Sequence, residues 1–487
     1  MKKSLLVTAL ALLLALGTLI GLTVRLDGTA TPVGVKTTHV RGDASAAEGL
    51  TVHTALTYAD NLHWTSDYLA AEGTEESSFF ARLRPVPKGT PVEWVDLWYI
   101  TRLCLTESGE YVTEDLLTGD DWPRSREVRV GDAFASYGLY LDAVTLPAGD
   151  EDTLISMSQT SSSLLRAPFD KLRIPVGPED RLEERVHYRD TNGYEFAYQF
   201  IRRETRFTPY TLGRQDHVLV TVGFAADAPA EPSWAPEGFG IWDVPIVSVK
   251  DSQGNDTGAR RPDAEQATLL YPLDIVEQRV AALTETADGA ILLVTAEDGR
   301  FVLRVLDGEA CRLRREMDLG EADQVTRSDG NETHTSFCAV QIRVEDEFVL
   351  MTLNGRELLV LDRSDGEWGI ALRSPVMELD EFADGEAWRV SRSTAARENG
   401  IWDTFFTLAD PGTLQRNAAL SFHGGKLTAA LYPPDNSVDK VCLQIYGDGG
   451  LLYGALLENN LTPQIFSKRF FVSRPVGEEP VSLRWAD

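Results

Sequence analysis

Asp120-Asp121-Trp122 is the local cluster best suited to chemistry in this 487-residue sequence. An indole can stack on a sugar face while neighbouring carboxylates take its hydroxyls. Two carboxyl groups about 5–10 Å apart can hydrolyse a glycosidic bond. His63-Trp64 followed by Asp67 has the same ingredients. Against both stands abundance: with Asp+Glu 75, acids beside a tryptophan arise in ordinary turns, and a turn with an anchored Trp is the simpler reading. Asp120, Asp121 and Trp122 are therefore kept only as weak ligand-contact candidates.

Other chemistries fail on spacing. The seven histidines show no H-x₃-H or H-E-x-x-H arrangement. Asp251-Ser-Gln-Gly-Asn-Asp256 hints at a calcium loop but lacks the spaced ligands and terminal Glu, so it reads as a surface turn. No G-x-S-x-G occurs. Ser437-Val-Asp-Lys440 matches S-x-x-K without its companion elements. Gly447-Asp-Gly449-Gly450 is followed by a strand-like run, which makes it a hairpin turn and not a phosphate loop. No metal, nucleotide or other cofactor is implied, and catalytic residues are not assigned.

Cys104, Cys311, Cys338 and Cys442 are widely spaced with no C-x-x-C pair, so zinc and thioredoxin-like readings fail. In an oxidising compartment Cys311 with Cys338 is the favoured disulfide, because neighbouring strands could bring them together. Buried free thiols are the alternative, and Cys338 shares a strand face with Val340, Ile342 and Val344.

The elements that must position such residues begin with an apolar segment. Lys2 and Lys3 precede an uncharged run from Ser4 to Val24, closed by Arg25. About 20 such residues span a hydrocarbon core of about 30 Å. Residues 1–25 are thus expected to be a signal anchor, a single transmembrane helix holding the bulk of the chain outside the cytoplasm at the cell membrane. Cleavage as a signal peptide, with secretion, is the alternative, because Gly28-Thr29-Ala30 offers small residues at cleavage spacing. Residues 26–48 are small, polar and aperiodic and read as a flexible linker.

Beyond residue 49 about 440 residues remain, more than one hydrophobic core holds, so the ectodomain is several domains or one repeat array. Short apolar runs bounded by Gly, Asp, Asn and Pro dominate: 290–295, 301–306, 348–353, 357–361 and 441–446. These predict strands. Residues 49–270 read as the β-rich first half, with longer loops. One helix is expected over Pro178–Val186, where Leu182 and Val186 share a face. Residues 271–487 carry turn pairs at Asp288-Gly289, Glu345-Asp346, Asn399-Gly400 and Asp448-Gly449. Their spacings are roughly 57, 54 and 49 residues, the length of a four-stranded propeller blade. The expected fold is all-β, a β-propeller-like ectodomain. A β-sandwich plus a smaller propeller-like array is the alternative. Gly240-Ile-Trp-Asp243 recurs as Gly400-Ile-Trp-Asp403, close to what chance allows.

The formal charge of −29 repels phosphate backbones, so nucleic acid is excluded as a partner. The expected partners are the membrane, through the N-terminal helix, and a protein or carbohydrate ligand. A binding or scaffold protein is favoured, and an extracytoplasmic carbohydrate-active hydrolase is the alternative.

Overall fold

The computed structural model describes residues 16–18, 20, 34–58, 62–81, 94–107, 111–116, 124–130, 134–147, 159–165, 172–175, 181–189, 195–200, 207–214, 216–224, 238–274, 276–322, 324–329, 332–337, 340–363, 366–376, 389–390, 404–405, 408, 418–432, 440–459, 472–473 and 481–486. Apart from helical residues at 16–18 and 20, the chain is all-β among these, with several four-stranded antiparallel sheets and two short 3₁₀ turns. It divides into two compact units, residues 1–88 with 341–487, and residues 89–340.

Turn chemistry explains the sheets. Ile291–Glu297 and Arg300–Leu306 pair with Glu297 opposite Arg300, so Asp298 and Gly299 alone make the connection. Their φ values of 47° and 74° are those of a two-residue turn whose twist matches the flanking strands. Gly424 and Gly425, at 56° and 74°, do the same between Ala418–His423 and Lys426–Leu431. Asn354 and Gly355 open the turn after Phe348–Leu353, also with positive φ. The turn pairs read from the sequence at 288, 345 and 448 each precede a strand, and Asn399-Gly400 lies outside the described residues.

Unit 89–340 holds the four-stranded meander Arg279–Glu285, Ile291–Glu297, Arg300–Leu306 and Leu313–Glu321. A second sheet is built on Phe207–Gly213, His217–Phe224 and Phe239–Lys250, with Asp256–Pro262 and Thr268–Leu273 both paired to the last of these. Val218, Val220, Val222 and Ile241 meet Val280, Ile291 and Leu293 in one buried cluster. Two further sheets lie earlier in this unit, Arg124–Val130 with its neighbours and Phe134–Pro147 with its neighbours. Arg181–Arg189 is a strand between Arg124–Val130 and Glu195–Phe200, which corrects the helix expected over 178–186. In the sequence Leu182 and Val186 also fit a period of two, and sheet pairing on both sides settles the choice.

The other unit holds Gln341–Val344, Phe348–Leu353, Glu357–Asp362 and Gly369–Pro375 as one meander. Ala418–His423, Lys426–Leu431, Lys440–Gly447 and Gly450–Asn459 form another. The two bury a shared cluster that includes Leu350, Val360, Leu427 and Tyr446. Both chain ends enter this unit. Val35–Gly42 pairs with Gly450–Asn459, and Leu50–Tyr58 pairs with Val481–Trp485 and Val472–Ser473.

Residues 35–47 are therefore structured, which corrects the flexible linker expected over 26–48. Val35, Thr37 and Val40 supply β-branched residues to a strand. Asp43 caps the 3₁₀ turn Ala44–Ala47 by accepting from the Ser45 N–H at 2.9 Å. The expected boundary at residue 270 falls within the strand Thr268–Leu273. Most of the expected anchor lies outside the described residues. Among the described residues no helix is long and apolar enough to cross a membrane.

Candidate functional site

Among the described residues, a convergence of titratable groups lies in unit 89–340, where three turns and the middle of one strand meet. Arg214 sits at the tip of the hairpin Phe207–Gly213/His217–Phe224, its N–H bonded to the His217 carbonyl at 2.9 Å. Its guanidinium donates to Glu285 Oε1 at 3.0 Å and to the Gly308 carbonyl, so one hairpin tip is pinned to the neighbouring meander. Gly308 is required by crowding: a Cβ there would stand 2.0 Å from the Gly289 carbonyl oxygen. The Gly289 turn is itself fixed by buried Thr286, whose N–H donates to the Ala290 carbonyl and whose hydroxyl donates to Asp288.

Asp243 is the unusual member. It faces Leu219 on one side and Thr268 on the other. Its Oδ1 is buried without a hydrogen-bond partner. Burial pushes its carboxyl above the ordinary aspartate range, partly offset by His217 and Arg214. Asp216 beside it goes the other way, held low chiefly by the His217 imidazole 2.8 Å away. Cys311 closes the group. Burial pushes its thiol up to about 11, so it stays protonated and is not an activated nucleophile. The arrangement holds charge beside a carboxyl whose pKa is raised by burial, and it does not assemble a nucleophile with its base.

A second polar centre lies on the meander 279–321. Arg304, 5% exposed, forks onto Glu297, donates to Thr295 Oγ1 at 2.7 Å and reaches Glu316 at 3.0 Å through Nε. Burial alone would raise Glu297, but hydrogen bonds from Arg304 and Thr295 outweigh it and hold the carboxyl low. This is a largely buried ion pair whose charges are satisfied by each other and by Thr295.

Of the residues flagged by sequence, Cys311 belongs to the Asp243 group and the others fall elsewhere. Asp120, Asp121 and Trp122 lie outside the described residues, as do Cys338 and Ser437. Cys311 and Cys442 are buried free thiols. Asp67 is engaged by His53 Nδ1 at 2.6 Å across a strand pair. Asp251 accepts from the N–H groups of Gln253 and Asn255 at 2.8 and 2.9 Å, which is an Asx turn and not a calcium loop. Gly447 pairs with Gly450 as a hairpin. Among the described residues no group of three or more His, Cys, Asp or Glu is placed to hold a metal.

Sequence reasoning missed Arg214, Asp243, Glu285 and Arg304. The Gly-Ile-Trp-Asp tetrapeptide contains Asp243, and Arg304 is a lone cation inside the run FVLRVL. Both signals were present, but their partners come from separate strands.

No family model matches the chain, and no curated protein matches it. Among solved structures it is similar to the Cps50 (Swd1) β-propeller domain of Myceliophteria thermophila at 11% identity, covering 72% of this chain and 88% of that one, with a TM-score of 0.24. It is similar to a protein from Lactobacillus plantarum at 8% identity, covering 90% and 100%, with a TM-score of 0.22. It is also similar to the Dos1 propeller at 9% identity, covering 87% and 95%, with a TM-score of 0.21. Distant matches to β-propeller domains thus occur. At these scores they carry no argument about ligand or activity.

Proposed function

We propose that this chain is a membrane-anchored extracytoplasmic binding or scaffold protein whose ectodomain is propeller-like. The observation that supports it best is the pairing of chain ends: the strand Leu50–Tyr58 takes Val481–Trp485 from the other end of the sequence as its neighbour. Meander sheets that repeat around an axis need such a mixed sheet to close the array and protect its edges. On this reading the propeller-like array is a rigid platform presenting turns, and rigid platforms suit binding. The apolar run Ser4–Val24 behind Lys2 and Lys3 supports the anchor, in a single pass with the bulk of the chain outside the cytoplasm. The net charge of −29 favours a protein or carbohydrate partner over a polyanion.

External protease on intact cells expressing the full chain with a tag at each end tests this reading. The C-terminal tag should be lost while the N-terminal tag stays protected and sediments with membranes. Protection of both tags, or release of the intact chain into the medium, would overturn the anchored topology.

A further inference from the structure

The strand Val35–Gly42 is an addition to a sheet that is already a four-stranded meander, lying on the outer edge of Gly450–Asn459. Four observations mark it as loosely integrated. Its pairing loses register between Thr38 and Arg41. Lys36, Val40 and Arg41 are exposed, Val40 by 53%. Beneath it lies a small crevice lined by Val35, Val52, Ser66, Tyr68, Val441 and Leu457. Ser66 Oγ, in a residue only 2% exposed, has no hydrogen-bond partner there.

The exit from the strand is also set apart. Gly42 has φ +76°, and a Cβ on it would stand 1.9 Å from the Leu452 carbonyl oxygen. The chain then turns through Ala44–Ala47 into Leu50–Tyr58, which belongs to a different sheet. Val35–Gly42 thus forms no hairpin with the strand that follows it. Its sheet partner is some four hundred residues away in sequence.

We propose that the edge of Gly450–Asn459 is a strand-exchange site, and that its alternative occupant is Val35–Gly42 of a second copy of this chain. An identical strand restores every contact made by the resident one, including Lys36 opposite Glu458 and the hydrogen bond between the Thr37 and Tyr68 hydroxyls. Exchange therefore costs little in contacts and turns on the corner at Gly42. The proposal deepens the anchored-scaffold reading. The ten residues 25–34 reach at most about 35 Å, so copies held in one bilayer present these strands to each other at high effective concentration.

The test uses two differently tagged full-length chains, one carrying K36C and the other E458C, co-expressed and oxidised with diamide. Strand exchange gives a covalent heterodimer at twice the monomer mass, with a disulfide joining positions 36 and 458 of different chains. That species should disappear on reduction and be absent when either variant is paired with the unsubstituted chain. Closure of the bond within the double variant K36C/E458C, with no heterodimer from the two single variants, would overturn exchange. So would failure to form either bond. The protease experiment reads the anchor independently, so failure of one reading is distinguishable from failure of the other.

Discussion

Asp243 and Arg304 show two ways this chain places charge in a β-sheet. Arg304 is fully paired, so removing one partner strands the other. Breaking the pair with R304M should cost about 2–3 kcal/mol in urea denaturation, below the range for a fully dry pair because Glu297 retains some solvent. Replacing both, as R304M/E297M, should recover most of that loss. A double variant as damaged as the single one would show that the pair does more than neutralise itself. Asp243 is the converse, a carboxyl whose folded pKa is raised by burial. Its stabilising contribution is complete below the ordinary aspartate range and is lost as pH rises through the raised value. D243N carries no charge at any pH. It should therefore gain stability relative to the unsubstituted protein as pH is raised from 3 to 7. A flat or reversed difference in paired melts would contradict the orphaned, desolvated carboxylate.

At the scale of elements, glycines divide into those a turn requires and those a neighbouring backbone requires. Gly299 occupies a two-residue turn in open space, so G299A should cost about 1 kcal/mol through its positive φ alone. Gly240 has φ +144°, and a Cβ would stand 1.9 Å from the Tyr271 carbonyl oxygen, inside the pairing of Phe239–Lys250 with Thr268–Leu273. G240A should cost about 3 kcal/mol, because strain and backbone clash add. Equal melting temperatures for the two variants would refute that distinction.

Strands were legible here because turn residues and short apolar runs are local signals. The runs at 301–306 and 348–353 match the strands Arg300–Leu306 and Phe348–Leu353 to within a residue. The segment 178–186 misled because Leu182 and Val186 fit a helical and an extended period equally. Residues 35–42 misled because their partner strand lies at the other end of the sequence. The candidate site was illegible for a similar reason: Arg214 comes from a hairpin turn and Asp243 and Glu285 from two strands, and only the folded pairing brings them together.

For the whole molecule, the informative feature is that both ends of the sequence finish the same unit. Leu50, Val52 and Val481 share one buried cluster with Leu443 and Tyr453, so the terminal strands belong to the core and are not trailing segments. Trp485 extends this, stacking on His423 at 5.5 Å between ring centres while Lys426 approaches its face at 5.8 Å. Lys426 also donates to the Ala46 carbonyl at 3.2 Å, so one hairpin tip holds both termini of the fold. Val481–Trp485 covers an edge of Leu50–Tyr58 that would otherwise be open, whereas the outer edge of Gly450–Asn459 is held by Val35–Gly42. The most direct measurement is amide hydrogen exchange on residues 34–487 with and without residues 481–487. Loss of the terminal strand should collapse protection across Leu50–Tyr58 while the meander 279–321 keeps its own. Unchanged protection in Leu50–Tyr58 would show that the chain ends do not close the fold, and the scaffold reading would lose its chief support.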